Sequence, residues 1–157
     1  MVILGVDPGI VAAGFSVIRH DAGTTELVDC GFAHMRSSQP LPERLAYLHD
    51  FFTDKVAQWQ VTDLVLETPF LGKNAQNFLK LGYVRGVLYI ITHRGGLRLR
   101  EFAPCQVKRA ITGSGSADKA QLARVILRLF PGLAMPARYD VTDAIALGLC
   151  GVWSKNS

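Results

Sequence analysis

The chain has 157 residues, a length that suits one domain with a single filled core. With 49% hydrophobic and 19% charged residues it is typical of a globular protein and not of a disordered one. Its apolar runs are too short to cross a bilayer, and its three scattered cysteines lack the spacing of a zinc or redox motif. No charged leader precedes a cleavage site, so we expect a cytoplasmic protein with reduced thiols and no membrane association.

The net charge of +4 is unevenly distributed along the chain. Residues 1–67 contain nine acids and four Lys or Arg, whereas residues 68–117 contain eight Lys or Arg and a single acid, Glu101. This asymmetry favours a basic face that binds a polyanion. The alternative is chance clustering on a solvated surface.

The first half of the chain predicts a sheet covered by one helix. The apolar run 2–7 ends on Asp7, before Pro8 and Gly9, and indicates a buried central strand. Two further strands are predicted at 14–20 and 26–35. Because the connections between the three strands are short, we expect an antiparallel meander. Apolar residues spaced three and four apart predict an amphipathic helix over 43–59. Residues 61–67 then repeat the opening pattern, an apolar strand that ends on a carboxylate, Glu67.

The second half is predicted to be mainly helical. A long helix over 73–93 is apolar on several faces, which predicts that one side packs on the sheet and another on a second subunit. Ser116 is a plausible N-cap for a later helix. The other predicted elements are a strand at 97–102 and helices at 103–111, 116–130 and 139–153. The pattern as a whole predicts one α/β domain over residues 1–157.

Four carboxylates are candidates for a metal site. Asp7 and Glu67 each end a buried strand, and Asp140 and Asp143 share one face at the start of the last helix. For this helical pair, the alternative role is a favourable interaction with the helix dipole. If the last helix crosses the sheet edge, the four acids converge and require a cation. All-oxygen ligands suit Mg²⁺ or Mn²⁺, and two such ions about 4 Å apart would suit phosphodiester hydrolysis.

A series of short motifs, in order along nearly the whole chain, resembles the RuvC family of Holliday junction resolvases. Any one motif is weak, but the ordered set is specific. The motifs are Asp7-Pro8-Gly9 with Gly14, Glu67 at its strand end, Gly72-Lys73-Asn74-Ala75, Leu79-Lys80-Leu81-Gly82, Arg85-Gly86-Val87, Gln106-Val107-Lys108, Gly113-Ser114-Gly115-Ser116-Ala117-Asp118-Lys119 and Asp140-Val141-Thr142-Asp143-Ala144.

The resemblance implies a ribonuclease-H-like fold, a five-stranded mixed sheet flanked by helices, with three antiparallel strands first and parallel strands after. It implies a homodimer that nicks opposed strands of a four-way DNA junction with Mg²⁺ or Mn²⁺, and it leaves open an association with a branch-migration helicase complex. By position, the residues that match the family's catalytic, metal-binding acids are Asp7, Glu67, Asp140 and Asp143. Lys108 and Lys119 match basic residues near the scissile phosphate. Phe70 matches an aromatic residue that helps to unstack the junction centre.

Several of these residues also have a physical rationale of their own. Lys119 begins a helix after a Gly-Ser-Gly loop and could offset phosphate charge, or it is an ordinary exposed lysine. Phe70 follows Pro69 in a loop and could stack on an unpaired base, or it folds into the core. The remaining candidates for phosphate contacts, each of which could instead be merely solvated, are Lys73, Lys80, Arg85, Lys108 and Arg109.

The chain departs from the family pattern in two places. Tyr139 precedes the last acidic pair, where a small residue is more usual, and the sequence stops at Ser157 without a basic tail. Three alternatives stay open: a junction-binding dimer that does not cleave, a ribonuclease-H-like enzyme that acts on RNA, and an actin-like nucleotide-binding domain.

Overall fold

In the computed structural model, which describes residues 1–69, 72 and 74–154, one mixed sheet carries the fold. Its strand order is β3-β2-β1-β4-β5; the β1–β2 and β2–β3 pairs are antiparallel, and the β1–β4 and β4–β5 pairs are parallel. The predicted mixed sheet, with three antiparallel strands first, is confirmed. The strands are β1 (Val2–Asp7), β2 (Ala12–Asp21), β3 (Thr24–His34), β4 (Asp63–Glu67) and β5 (Arg98–Phe102).

Five helices cover the two faces of this sheet. Two of them, α1 (Leu41–Trp59) and α2 (Ala75–Arg94), pack on one face through a core that includes Leu4, Leu48 and Leu88. The other three share a second core with Ile3 and Val65 on the opposite face. They are α3 (Pro104–Thr112), α4 (Lys119–Leu129) and α5 (Tyr139–Trp153). In the part of the chain that the structure describes, none of these helices is long and apolar enough to cross a membrane.

The helix bounds follow the predicted ones closely, and α5 has the predicted bounds. The predicted N-cap Ser116 is wrong. Asp118 caps α4, because its side chain accepts a hydrogen bond from the backbone N–H of Gln121, whose side chain accepts one from the N–H of Asp118 in return. This reciprocal capping box satisfies the backbone N–H groups of Asp118 and Gln121, which Ser116, two residues earlier, does not do.

The strand register places the first two acids side by side. Val6 pairs with Leu66 in the parallel β1–β4 ladder, so Asp7 and Glu67 are the residues that follow on adjacent strands. On the other side of β1, Asp7 pairs with Gly14 of β2. One edge of the sheet therefore presents Asp7 between Glu67 and a glycine.

Candidate active site

The last helix reaches this sheet edge because glycines let it lie directly on the strands. A Cβ at Gly14 would come closer than 3.0 Å to three atoms of Asp140, and a Cβ at Gly5 would come equally close to the backbone of Ala144. The Ser16 hydroxyl on β2 donates a 2.8 Å hydrogen bond to the Ala144 carbonyl. The first two turns of α5 are therefore held against β1 and β2 by close contact with their backbone.

The packing of α5 on β1 and β2 brings three of the four predicted acids together. Carboxylate oxygens of Asp7, Asp140 and Asp143 all lie within 4.8 Å of one another. Glu67 is outside this tight group, but it lines a cleft of about 180 Å³ together with Asp7 and Asp143. The structure thus places all four predicted acids at one edge of the sheet.

Raised pKa values in this group show that holding the ionised carboxylates together is electrostatically unfavourable. Burial, followed by the charges of Asp143, Glu67 and Asp140, raises the pKa of Asp7 from 3.8 to about 8. Burial also raises the pKa of Glu67 and of Asp143 above their ordinary values, and Lys119 opposes both increases. The fold therefore holds these carboxylates at a distance where they repel one another.

Lys119 is a cationic side chain that lies directly beside the acids. Its Nζ donates a 3.0 Å hydrogen bond to Oδ2 of Asp143. Burial opposes the charged form of Lys119, but this bond and the charges of Asp143, Asp7 and Asp140 raise its pKa above the usual value. Lys108 lines the same cleft from α3. The two lysines predicted near the scissile phosphate therefore lie beside the acids.

The donor set fits a hard divalent cation. Three carboxylates within reach of one ion, with no sulfur or imidazole among them, match the preference of Mg²⁺ and Mn²⁺ for oxygen ligands. A bound cation would also relieve the repulsion that raises the pKa of Asp7. The side chains that would hold it are those of Asp7, Asp140 and Asp143, with Glu67 next to them.

A second, larger cleft of about 310 Å³ opens from the acids toward α2. It shares Asp7 and Glu67 with the smaller cleft, and its far walls include Phe78, Leu81 and Tyr89. An apolar, partly aromatic wall beside a charged centre can accommodate the flat face of a nucleobase. The chemistry of this opening is thus compatible with a nucleic-acid strand at the acids.

The predicted phosphate contacts have different outcomes. Lys80 on α2 and Arg109 on α3 are exposed, as a phosphate contact requires, and their role stays a prediction. Phe70 and Lys73 lie outside the described residues.

Arg85 is far more enclosed than Lys80 and Arg109, and its contact with DNA stays a prediction. Its guanidinium is buried, forms an ion pair with Glu101, and donates hydrogen bonds to the Tyr89 hydroxyl and the Glu67 carbonyl. With these partners it braces the end of β4, where Glu67 lies, and it also lines the larger cleft together with Asp7 and Glu67.

Arg138, the residue before α5, was not among the predicted site residues. Its Nε and its terminal nitrogen lie 2.7 and 2.6 Å from Oδ2 of Asp140. The guanidinium carbon also lies 5.6 Å from the ring centre of Phe32 on β3. The signal that could have found it is a basic residue two positions before a candidate metal ligand.

Comparison with known proteins assigns the family. The family model described as "Crossover junction endodeoxyribonuclease RuvC" matches residues 3–151. The chain belongs to the RuvC family. RuvC enzymes are metal-dependent endodeoxyribonucleases, and the acidic group Asp7, Asp140 and Asp143 suits that chemistry. The family match leaves no role for the actin-like nucleotide-binding alternative.

Curated RuvC relatives span nearly the whole chain. The crossover junction endodeoxyribonuclease RuvC of Chlorobium phaeobacteroides is 39% identical over 150 residues, covering 96% of this chain and 80% of its own length. That of Saccharophagus degradans is 34% identical over 156 residues, covering 99% of this chain and 90% of its own length. The family match over residues 3–151 therefore spans the positions of all four candidate acids.

Solved structures confirm the RuvC fold. Thermus thermophilus RuvC in complex with a Holliday junction substrate superimposes with a TM-score of 0.90 at 23% identity, covering 98% of this chain and 93% of that one. The yeast mitochondrial Holliday junction resolvase gives a TM-score of 0.68 at 10% identity, covering 93% of this chain and 75% of its own. The predicted ribonuclease-H-like architecture is the one that these resolvases share.

Proposed function

We propose that the protein resolves four-way DNA junctions by paired, symmetric nicks during recombination and repair. The observation that carries the proposal is the group of three carboxylates within 4.8 Å of one another, in a chain of the RuvC family. Support also comes from the likeness to Thermus thermophilus RuvC in complex with a Holliday junction substrate. We propose that residues 1–157 form one nuclease domain.

Two Mg²⁺ or Mn²⁺ ions per site are proposed as cofactors, held by Asp7, Glu67, Asp140 and Asp143. Such a pair, when bound, stabilises the attacking and the leaving oxygen of an in-line phosphodiester displacement. Lys119, which already neutralises Asp143 at 3.0 Å, lies where it can offset charge on the phosphate. We expect 5′-phosphate and 3′-hydroxyl ends, which a ligase can rejoin.

DNA contacts outside the acids are proposed for residues on both sides of the site. Lys108 lines the smaller cleft, and Lys80 and Arg109 are exposed on the flanking helices α2 and α3. Contacts by Phe70 and Lys73 remain proposals from the sequence alone. Phosphate contacts of this kind fix the position of the DNA but do not read its sequence.

The proposed function is tested by cleavage of a four-way junction with a mobile core, in Mg²⁺ and in Mn²⁺ separately. We expect symmetric nicks in two opposed strands that a ligase can seal, because the chain has the RuvC fold and a group of three carboxylates that could hold a metal ion. Linear duplex DNA and structured RNA are the comparison substrates. Stronger cleavage of RNA would favour the RNA-directed alternative, and junction binding without nicks in Mn²⁺ would favour the non-cleaving dimer.

A homodimer is also proposed, through one stripe of α2. Leu79, Tyr83 and Ile90 are 56%, 41% and 50% exposed, and their spacing of four and seven residues places them on one side of the helix. Between them, Gly82 and Gly86 leave open space where a Cβ would stand, so another backbone can approach closely. Paired nicks on opposed strands need two active sites related by symmetry.

Introducing charge into this stripe is expected to separate the subunits. The double variant Leu79→Asp with Ile90→Asp should sediment as a monomer at concentrations where the unaltered protein sediments as a dimer, because burying two carboxylates in an apolar interface is unfavourable. The control is Leu129→Asp on α4, where the side chain is 46% exposed, and it should leave the dimer intact. A dimer that survives the double substitution would place the interface elsewhere. Association with a branch-migration helicase stays a prediction.

A further inference from the structure

Arg138, like Lys119, is a positively charged side chain that forms an ion pair with the acidic group, but the two pair with different carboxylates. Lys119 pairs with Asp143, whereas Arg138 directs two nitrogens, at 2.6 and 2.7 Å, to the same oxygen of Asp140. That carboxylate belongs to the group whose oxygens lie within 4.8 Å of one another. The guanidinium therefore occupies one oxygen of a carboxylate that would help to hold a divalent cation.

Besides Asp140, the Arg138 guanidinium has a second favourable contact, the aromatic ring of Phe32. Across the sheet edge, Asp7 pairs with Gly14 and Gly14 pairs with Phe32, so the Phe32 ring lies two strands from the central acid. The Arg138 guanidinium carbon is 5.6 Å from the centre of that ring. A cation over an aromatic face is attracted to it without help from a carboxylate. The arginine can thus leave Asp140 and keep a favourable contact.

We propose that Arg138 is a built-in counter-ion that competes with the divalent cation for Asp140, and so weakens metal binding by this protein. A carboxylate that accepts two charged hydrogen bonds has fewer lone pairs for an ion, and two positive charges at one carboxylate repel each other. Arg138 stabilises the acidic group when it pairs with Asp140 and moves onto Phe32 when a metal ion binds. The inference rests on the proposed metal site.

The test is calorimetric titration of the protein with Mn²⁺ in the absence of DNA. Arg138→Gln should bind Mn²⁺ about twofold to fivefold more tightly than the unaltered protein, the range expected from loss of one partly exposed ion pair. Arg138→Lys keeps the charge and should restore most of the weaker affinity, which a purely structural role for the arginine would not predict. Arg128→Gln, at an exposed position near the end of α4, makes the same change in net charge and should leave the affinity unchanged.

Three outcomes separate this inference from the proposed function. Tighter Mn²⁺ binding by Arg138→Gln alone supports it. Equal affinity in Arg138→Gln and the unaltered protein, or equal tightening in Arg128→Gln, overturns it and leaves the metal site in place. If neither the unaltered protein nor Arg138→Gln binds Mn²⁺, the inference and the proposed metal site fail together.

Discussion

Replacement of Asp7 with Asn is expected to abolish junction cleavage and, at the same time, to raise the melting temperature of the protein at about pH 8. Asp7 is the central carboxylate. It ends β1 beside Glu67, which ends the neighbouring strand β4, and its carboxylate lies within 4.8 Å of those of Asp140 and Asp143. An amide of nearly the same shape keeps the packing but loses the charge that would bind the cation. We therefore expect nicking to fall below detection while binding of the four-way junction persists.

The increase in stability follows from the pKa of Asp7. In the unfolded chain this carboxyl ionises near its ordinary value of 3.8, whereas burial and the neighbouring acids raise its pKa to about 8 in the folded protein. Between those two values the folded protein binds more protons than the unfolded chain, so its stability falls as the pH rises. Asn at this position removes the penalty, which is greatest at and above the folded pKa and vanishes below about pH 4.

Thermal unfolding at about pH 4 and about pH 8 measures this effect. For a chain of this size we expect Asp7→Asn to melt roughly 5 °C or more above the unaltered protein at the higher pH, and at the same temperature at the lower pH. The control is Asp54→Asn, an exposed residue of α1. An Asp7→Asn variant that still nicks junctions at the normal rate would show that the assignment of the central acid is wrong.

Replacement of Gly14 with Ala is expected to reduce cleavage about 100-fold, because a displacement of roughly 1 Å in an active site has an effect of that size. The added Cβ would come closer than 3.0 Å to the carbonyl oxygen, carbonyl carbon and Cβ of Asp140. Two of these are backbone atoms, so the clash cannot be relieved by a side-chain rotation and the start of α5 must move. Asp140 then moves away from Asp7.

The same substitution should lower the free energy of unfolding by about 1–3 kcal/mol, the usual cost of an overpacked interior. Cleavage rates at saturating metal and a denaturant melt measure the two effects separately. The matched control is Gly132→Ala, since a Cβ there would meet nothing within 4 Å. Unchanged cleavage by Gly14→Ala would mean that contact between β2 and α5 does not position Asp140.

The acids could be predicted from the sequence because their pattern is local. An apolar run that ends on a carboxylate gives both the strand and the direction of its last side chain, and this was enough to locate Asp7 and Glu67. The spacing of Asp140 and Asp143 indicated a shared helical face. That this face reaches Asp7 depends on the packing of α5 against Gly5 and Gly14, which no local pattern reveals.

The surroundings of other residues depend on partners that are distant in the sequence. Arg85 belongs to a basic stretch that predicts phosphate contacts, but its ion pair with Glu101 on β5 could not be read from that stretch. Arg138 was overlooked because its role depends on Asp140 and Phe32 together. Asp118, in contrast, could have been identified as the N-cap, since Gln121 three residues later completes a recognisable capping box.

The order in which the acids occur along the chain has a consequence during synthesis. Asp7 and Glu67 emerge from the ribosome early, whereas Asp140 and Asp143 lie on α5, the last helix. Until α5 has packed on β1 and β2, a nascent chain has the two strand-end acids without the other members of the cluster. The cell would therefore acquire nuclease activity only from chains translated through their last helix, and an interrupted polypeptide would not cut DNA.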